Sequence, residues 1–330
     1  MTELISKSED RDWEAVKQLL VSGADPTLWD DKPLADFLFY AALNGHVEVV
    51  RILLAGREPR HRRESLLSMT ADIGMSCLHF ASQNGHLEVV KVLVEAGGQA
   101  LLNKTNEDGA SCLALAAQNG HLEVVKVLVK AGGRALLKIT PEDGWKCHHS
   151  VCQSGHLEIV KVLVKSGGQE LLNKTFAEGV SCLHVACLNG RLEVVKALVE
   201  AGGEALLTKT VLITGNFVAG STCLHVAARS GHLSVVQFLA LLPGGCLLHQ
   251  TAADGTKASD LAAAAGHAAV RYWLRAAEAV GKGRSPTASC RQGTILAPAV
   301  AWPYRLGSAA DGHRTVWLSA TATSESTSDV

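Results

Sequence analysis

Residues 85–94 read Gly-His-Leu-Glu-Val-Val-Lys-Val-Leu-Val, and nearly the same string returns at Gly120, at Gly155 and, with Arg191 in place of His, at Gly190. Looser copies begin at Arg11, Gly45, Gly231 and Gly266, so successive starts lie 34, 40, 35, 35, 35, 41 and 35 residues apart. A period of this size marks stacked supersecondary units, none of which can bury its apolar face alone. Eight such units account for nearly all of residues 1–280.

Inside a unit the apolar spacing is helical. Leu122, Val125, Leu128 and Val129 share one face, while Glu123 and Lys126 stand three apart on the other as an exposed ion pair of roughly 0.2–0.5 kcal/mol. A shorter helix precedes each central Gly by nine residues, as in Ser111-Cys112-Leu113-Ala114-Leu115-Ala116-Ala117-Gln118-Asn119, whose alanines permit close approach of neighbouring helices. The Asn-Gly pair ends that helix, because Gly adopts the left-handed backbone at low steric cost. Gly97-Gly98 follows the second helix, and Asn106-Glu107-Asp108-Gly109 is a tight-turn signal. Each unit therefore reads helix, turn, helix, protruding turn.

These residues resemble the ankyrin repeat. The match is best at Ser76-Cys77-Leu78-His79, Ser181-Cys182-Leu183-His184 and Thr222-Cys223-Leu224-His225, each nine residues before its central Gly. Two departures recur: Cys replaces the family's Pro, and the units exceed the usual ~33 residues through an Ala-Leu-Leu stretch such as Ala100-Leu101-Leu102 or Ala135-Leu136-Leu137. The resemblance implies an all-α ankyrin-repeat solenoid of stacked helix-turn-helix units with protruding turns or β-hairpins over residues 1–280. Residues 1–25 would form an amino-terminal cap and residues 281–330 a flexible, low-complexity tail. It also implies that the repeated imidazoles hydrogen-bond backbone within and between units.

The chain has 330 residues, a net charge of −1, 47% hydrophobic and 19% charged residues, values that favour a folded chain over a disordered or strongly nucleic-acid-binding one. Residues 1–20 carry no secretory pattern, and the longest apolar region, Leu233 to Leu242, is half of the ~20 residues a membrane span needs. The reading is a soluble, cytoplasmic monomer, with nuclear entry left open.

Chemical motifs dissolve into the repeat. Cys147, His148, His149, Cys152 and His156 have zinc-ligand side chains, yet all but His148 occupy positions that recur in other units. Ten of the 14 His, at 46, 79, 86, 121, 149, 156, 184, 225, 232 and 267, sit at the two repeated positions. Stacked helices about 8–10 Å apart hold equivalent Cys residues beyond disulfide reach, so the Cys row reads as small buried hydrophobes. No phosphate loop, nucleophile elbow or kinase set is present. No catalytic residue, metal or cofactor is assigned.

What remains is recognition of another protein. The resemblance implies binding through the concave face and turn tips, which places Asp72, Glu107, Asp108, Glu142, Asp143, Glu178 and Asp254 at tips. First-helix candidates are Gln83, Asn84, Gln118, Asn119, Gln153, Ser154, Leu188, Asn189, Arg229 and Ser230. Acidic tips point to a partner with a basic segment. The alternative is contact with nucleic acid, acidic lipid or phosphopeptide through four arginines in a loop spanning Arg57 to Arg63, or service as the substrate adaptor of a larger complex. The Val211 to Ala219 insertion is a second, apolar candidate, and Ser328-Asp329-Val330 fits the carboxyl-terminal pattern read by PDZ domains. Lys146 stands where Ser or Thr stands in other units and His148 where Leu stands, leaving a polar ring at a core position, so residues 141–165 are expected to form the softest joint in the middle of the array.

Overall fold

The computed structural model describes residues 31–55, 60–139, 147–176, 179–212, 218–242 and 246–281, with isolated positions 15 and 18. The proposed amino-terminal cap falls almost wholly outside these residues, as do the tail beyond 281 and its last three residues. Glu142, Asp143 and Glu178 also lie outside them.

Short first helices alternate with longer second helices. The first helices are α1 (Asp31–Asn44), α4 (Cys77–Gln83), α6 (Cys112–Gln118), α8 (Cys147–Ser154), α10 (Cys182–Leu188), α12 (Cys223–Arg229) and α15 (Ala258–Ala264). The second helices are α2 (Val47–Ala55), α5 (Leu87–Leu102), α7 (Leu122–Lys138), α9 (Leu157–Leu172), α11 (Leu192–Leu207), α13 (Leu233–Ala240) and α16 (Ala268–Gly281). Two further helices are α3 (Arg60–Ser68) and α14 (Cys246–His249). Seven second helices thus begin two residues after their central Gly, as the repeat spacing predicts.

First helices pack on first helices and second on second, so the core runs as ladders through the stack. One ladder is Leu78, Leu113, His148, Leu183 and Leu224; another is Leu93, Leu128, Leu163, Leu198 and Leu239, and every one of these is buried. Burying a Leu contributes roughly 1.5–3 kcal/mol. His148 breaks the first ladder with a polar ring that lies 4.1 Å, centroid to centroid, from His149.

The extra length of each unit is a third, short helical turn. At Gly98, Gly133, Gly168 and Gly203 the second helix kinks, with φ between 53° and 60° and ψ near −150°, a backbone region open essentially to Gly. The chain then re-enters helix and buries Leu101 and Leu102, or Leu136 and Leu137. The protruding turns pair as hairpins: β1 (Thr175–Phe176) with β2 (Val180–Ser181), and β3 (Thr210–Val211) with β4 (Ser221–Thr222). Thr105 and Ser111 form a single bridge of the same kind.

The arginine-rich insertion corrects one expectation. From Arg60 onward it is the helix α3 and not a loop, because Leu66 and Leu67 are buried against the array and anchor it. The apolar insertion divides: Val211 is buried, whereas Leu212 is exposed and residues 213–217 lie outside the described set.

Candidate functional site

Two rows of hydrogen bonds fix the surface formed by the first helices. In the outer row, the ring of one unit reaches the carbonyl that ends the first helix of the unit before it. His86 Nε2 meets Leu43 O at 2.8 Å, His121 meets Gln83 O at 2.9 Å, His156 meets Gln118 O at 3.3 Å and His232 meets Leu188 O at 2.9 Å. Arg191 takes the same place with Nε donating to Gln153 O at 3.0 Å, so the exception preserves the bond. The rings lie so close that a Cβ on Gly85 would sit 2.4 Å from His121 Nδ1, and Gly85 also has φ +76°.

The inner row is buried. Ser76 N donates to His79 Nδ1 at 3.1 Å, which leaves Nε2–H to donate to Ala110 O of the next unit at 3.2 Å. His79 therefore closes a capping box where a Glu usually stands. Thr222 and His225 repeat the arrangement, with His225 Nε2 on Thr256 O. Burial disfavours the charged ring and drives His79 and His184 down to a pKa of about 4. These imidazoles are structural.

The candidate first-helix residues separate by role. Gln83, Gln118 and Gln153 expose their side chains while their carbonyls carry the outer row. Asn84, Asn119 and Asn189 each return the side-chain amide to the carbonyl four residues back, at 2.8–2.9 Å, which satisfies a helix-end acceptor. Ser154, Leu188, Arg229 and Ser230 are half-buried. The recurring Gln-Asn pair thus has a packing explanation as well as an exposed Gln amide.

At the tips, Asp72, Glu107 and Asp108 are exposed, and backbone bonds join neighbouring units: Glu107 N to Ile73 O at 3.0 Å and Ala253 N to Ala219 O at 2.8 Å. Asp254 Oδ1 accepts Thr256 N at 2.9 Å, and bonds from Thr256 hold its carboxyl below the usual range. Asp72 and Glu107 carry no ion pair among the described residues. The second helices differ: Glu88–Lys91, Glu123–Lys126, Glu158–Lys161 and Glu193–Lys196 all close at 2.6–2.7 Å. The first turn of these four second helices is thus self-neutralised, whereas the Asp72 and Glu107 carboxylates at the tips are not.

Two exposed residues on the tip and first-helix surface were not singled out from sequence. Tyr40 is 47% exposed at the register position of Phe80, whose ring lies 6.0 Å from that of Phe39. Ile73 is 57% exposed with φ +56°, and it is the one non-glycine residue with positive φ among the described residues. Register identifies Tyr40 in hindsight; nothing in the local sequence signals the strained Ile73.

Seven cysteines, Cys77, Cys112, Cys147, Cys152, Cys182, Cys187 and Cys223, are buried free thiols. Burial pushes Cys77 and Cys112 up to about 12. The neighbouring Cys182 thiol and burial push Cys152 up, and burial and the neighbouring Cys223 thiol push Cys187 up, diagonal neighbours that the row of equivalent positions does not reveal. Among the described residues no group of three or more His, Cys, Asp or Glu converges as a metal site, and no helix is long and apolar enough to cross a membrane.

Stacked helical pairs with bridging rings and hydrogen-bonded tips define a helical repeat array of the solenoid class. Ankyrin repeats in three copies match over residues 4–100, 38–139, 98–174 and 133–209, and a single ankyrin repeat matches over 219–252. The chain belongs to the ankyrin repeat family, whose members in general serve as protein–protein interaction modules. The crystal structure of the human ASB11 ankyrin repeat domain is similar, with TM-score 0.59 and 26% identity over 73% of this chain and 96% of that one. No curated protein sequence matches the chain significantly.

Proposed function

We propose that the array binds a partner protein non-covalently, without catalysis, through its hairpin tips and the exposed faces of its first helices. The observation that carries this reading is local: Asp72 and Glu107 are exposed and unpaired at the tips, while the first-turn glutamates of four second helices, Glu88, Glu123, Glu158 and Glu193, are each neutralised by the lysine three residues on. A partner that brings a basic segment meets the tips, and its apolar side chains meet Tyr40 and Ile73. Charge of this kind steers encounter and sets specificity more than it adds affinity. The chain acts as a cytoplasmic monomer and as an adaptor that holds its partner within a larger complex.

The test is affinity capture from cell extract at two salt concentrations, comparing the wild-type chain with a Gln83→Arg, Gln118→Arg, Gln153→Arg variant. The exposed amides tolerate substitution because their structural contribution is the backbone carbonyl. Partners lost both in the variant and at high salt support the reading. Partners retained in both conditions contradict it.

A further inference from the structure

The units of this array serve as controls for one another, and the joint between α7 and α9 departs from the two beside it. Between α9 and α11, Gln169 Nε2 donates to Ala201 O at 2.5 Å, and Lys209 Nζ donates back to Asn173 O at 3.0 Å. Between α5 and α7, Gln99 Nε2 donates to Ala131 O at 2.8 Å. One unit earlier, Lys104 Nζ donates to Ser68 O. Between α7 and α9 neither bond exists. Arg134 stands where Gln99 and Gln169 stand, and Lys138 where Asn103 and Asn173 stand. Glu170 occupies the position of Ala100, Ala135 and Ala205, and Lys174 keeps the Lys of Lys104 and Lys209 without the carbonyl.

The unclosed joint is a cleft of about 200 Å³ floored by Leu137 and Leu171 and walled by Arg134, Lys138, Glu170 and Lys174. Lys138 Nζ lies 3.3 Å from Glu170. Arg134 and Lys174 have no ion pair among the described residues. Three cations therefore face one carboxylate, so the cleft is short of negative charge.

We infer that this cleft binds an anionic group on a protein segment, a phosphorylated serine or threonine within an acidic sequence. Arg134 offers a planar fork to two phosphate oxygens, with Lys138 and Lys174 as point charges beside it. The volume is below the roughly 300–1,000 Å³ of a metabolite pocket, which suits one functional group projected from a longer chain. The positions equivalent to Arg134 and Lys138 on the same side are Gln99, Asn103, Gln169, Asn173, Glu204 and Thr208, neutral or acidic, and Lys104 and Lys209, the equivalents of Lys174, are engaged on carbonyls, whereas a membrane or nucleic-acid backbone requires an extended run of cations. This site is separate from the tips and does not depend on the partner proposed for them.

The test is fluorescence anisotropy with a labelled nonapeptide of Asp and Glu around a central phosphoserine, alongside its unphosphorylated form. Arg134→Gln with Lys138→Asn restores the residues of the neighbouring units, so the fold is preserved by design, and a melting curve verifies it. Lys91→Gln with Lys196→Gln removes equal charge elsewhere. The expected result is saturable binding to the wild-type chain, at least tenfold weaker in the first variant, unchanged in the second and weakened by dephosphorylation; Lys174→Gln alone reduces it several-fold. No saturable binding, or equal loss in both double variants, overturns the inference. So does binding to phosphatidylserine vesicles that requires Arg134 and Lys138 while the phosphopeptide fails to bind, an outcome that assigns the cleft to a lipid surface.

Discussion

Gly85 and Gly266 occupy the same position of the repeat with nearly the same backbone, φ +76° and +81°, but only Gly85 is covered by the ring of a following unit. Gly85→Ala therefore incurs both left-handed strain and overpacking, about 3 kcal/mol in all, whereas Gly266→Ala incurs about 1 kcal/mol of strain alone. Chemical denaturation of the two variants checks this, and equal losses would show that the ring contact is slack. His79 and His184 set a pH dependence. Above pH 6.5 both folded and unfolded chains hold them neutral; between 6.5 and about 4 only the unfolded chain takes up the protons, so stability falls as pH falls through that window. His79→Gln should flatten the decline by about one proton in the slope of stability against pH. Ile73 carries the opposite kind of strain, since a β-branched residue at φ +56° costs about 1–2 kcal/mol. Ile73→Asn is expected to raise the melting temperature while weakening partner capture, and a variant that gains stability with capture unchanged would remove Ile73 from the contact surface.

At the scale of the element, α8 and its neighbours carry the least regular part of the stack. His148 is buried among positions that are Leu in four other units, and a small void lies between it and Cys152, Leu163 and Leu198. His148→Leu is expected to stabilise the array by about 1 kcal/mol. Amide exchange in residues 147–165 should be faster than in 112–130 or 182–200, and matching protection would sink the idea of a soft joint. Element placement was readable in the sequence because a copied period averages out local noise: every second-helix start from Val47 onward follows its Gly by two residues. The α3 helix was not readable as such, since its first turn is Arg-His-Arg-Arg and its two anchoring leucines come late. The positive-φ kinks at Gly98 and its equivalents were also hidden, because Gly-Gly after a helix reads equally as a stop or as a bend. Burial shields all seven described cysteines from reagent and raises the Cys77, Cys112, Cys152 and Cys187 thiols, which predicts that the seven resist iodoacetamide in the folded chain and react once it is unfolded. Rapid labelling of Cys152 or Cys182 in the native state would place them in a joint that opens.

For the array as a whole, stability is a sum of unit and nearest-neighbour terms, which makes the joint between α7 and α9 a place where bonds can be exchanged for binding chemistry with little cost elsewhere. The acidic tips were legible from the Asn-Glu-Asp-Gly pattern, and the Gln-Asn pairs from their recurrence. Their unequal roles were not, because the outer His row runs through backbone carbonyls and leaves no trace in side-chain identity. The cleft at Arg134 was equally hidden, since its walls come from two units and its charge emerges only when repeats are compared position by position in three dimensions. Partner recognition by the tips and first helices is the central claim, and carboxylate footprinting tests it most directly. The chain is labelled with carbodiimide and an amine, alone and with its captured partner, and label is quantified by mass spectrometry. The account predicts that the partner shields Asp72, Glu107 and Asp108 while labelling of Glu88, Glu123 and Glu158 is unchanged; shielding of the second-helix glutamates with the tips still fully labelled would contradict it.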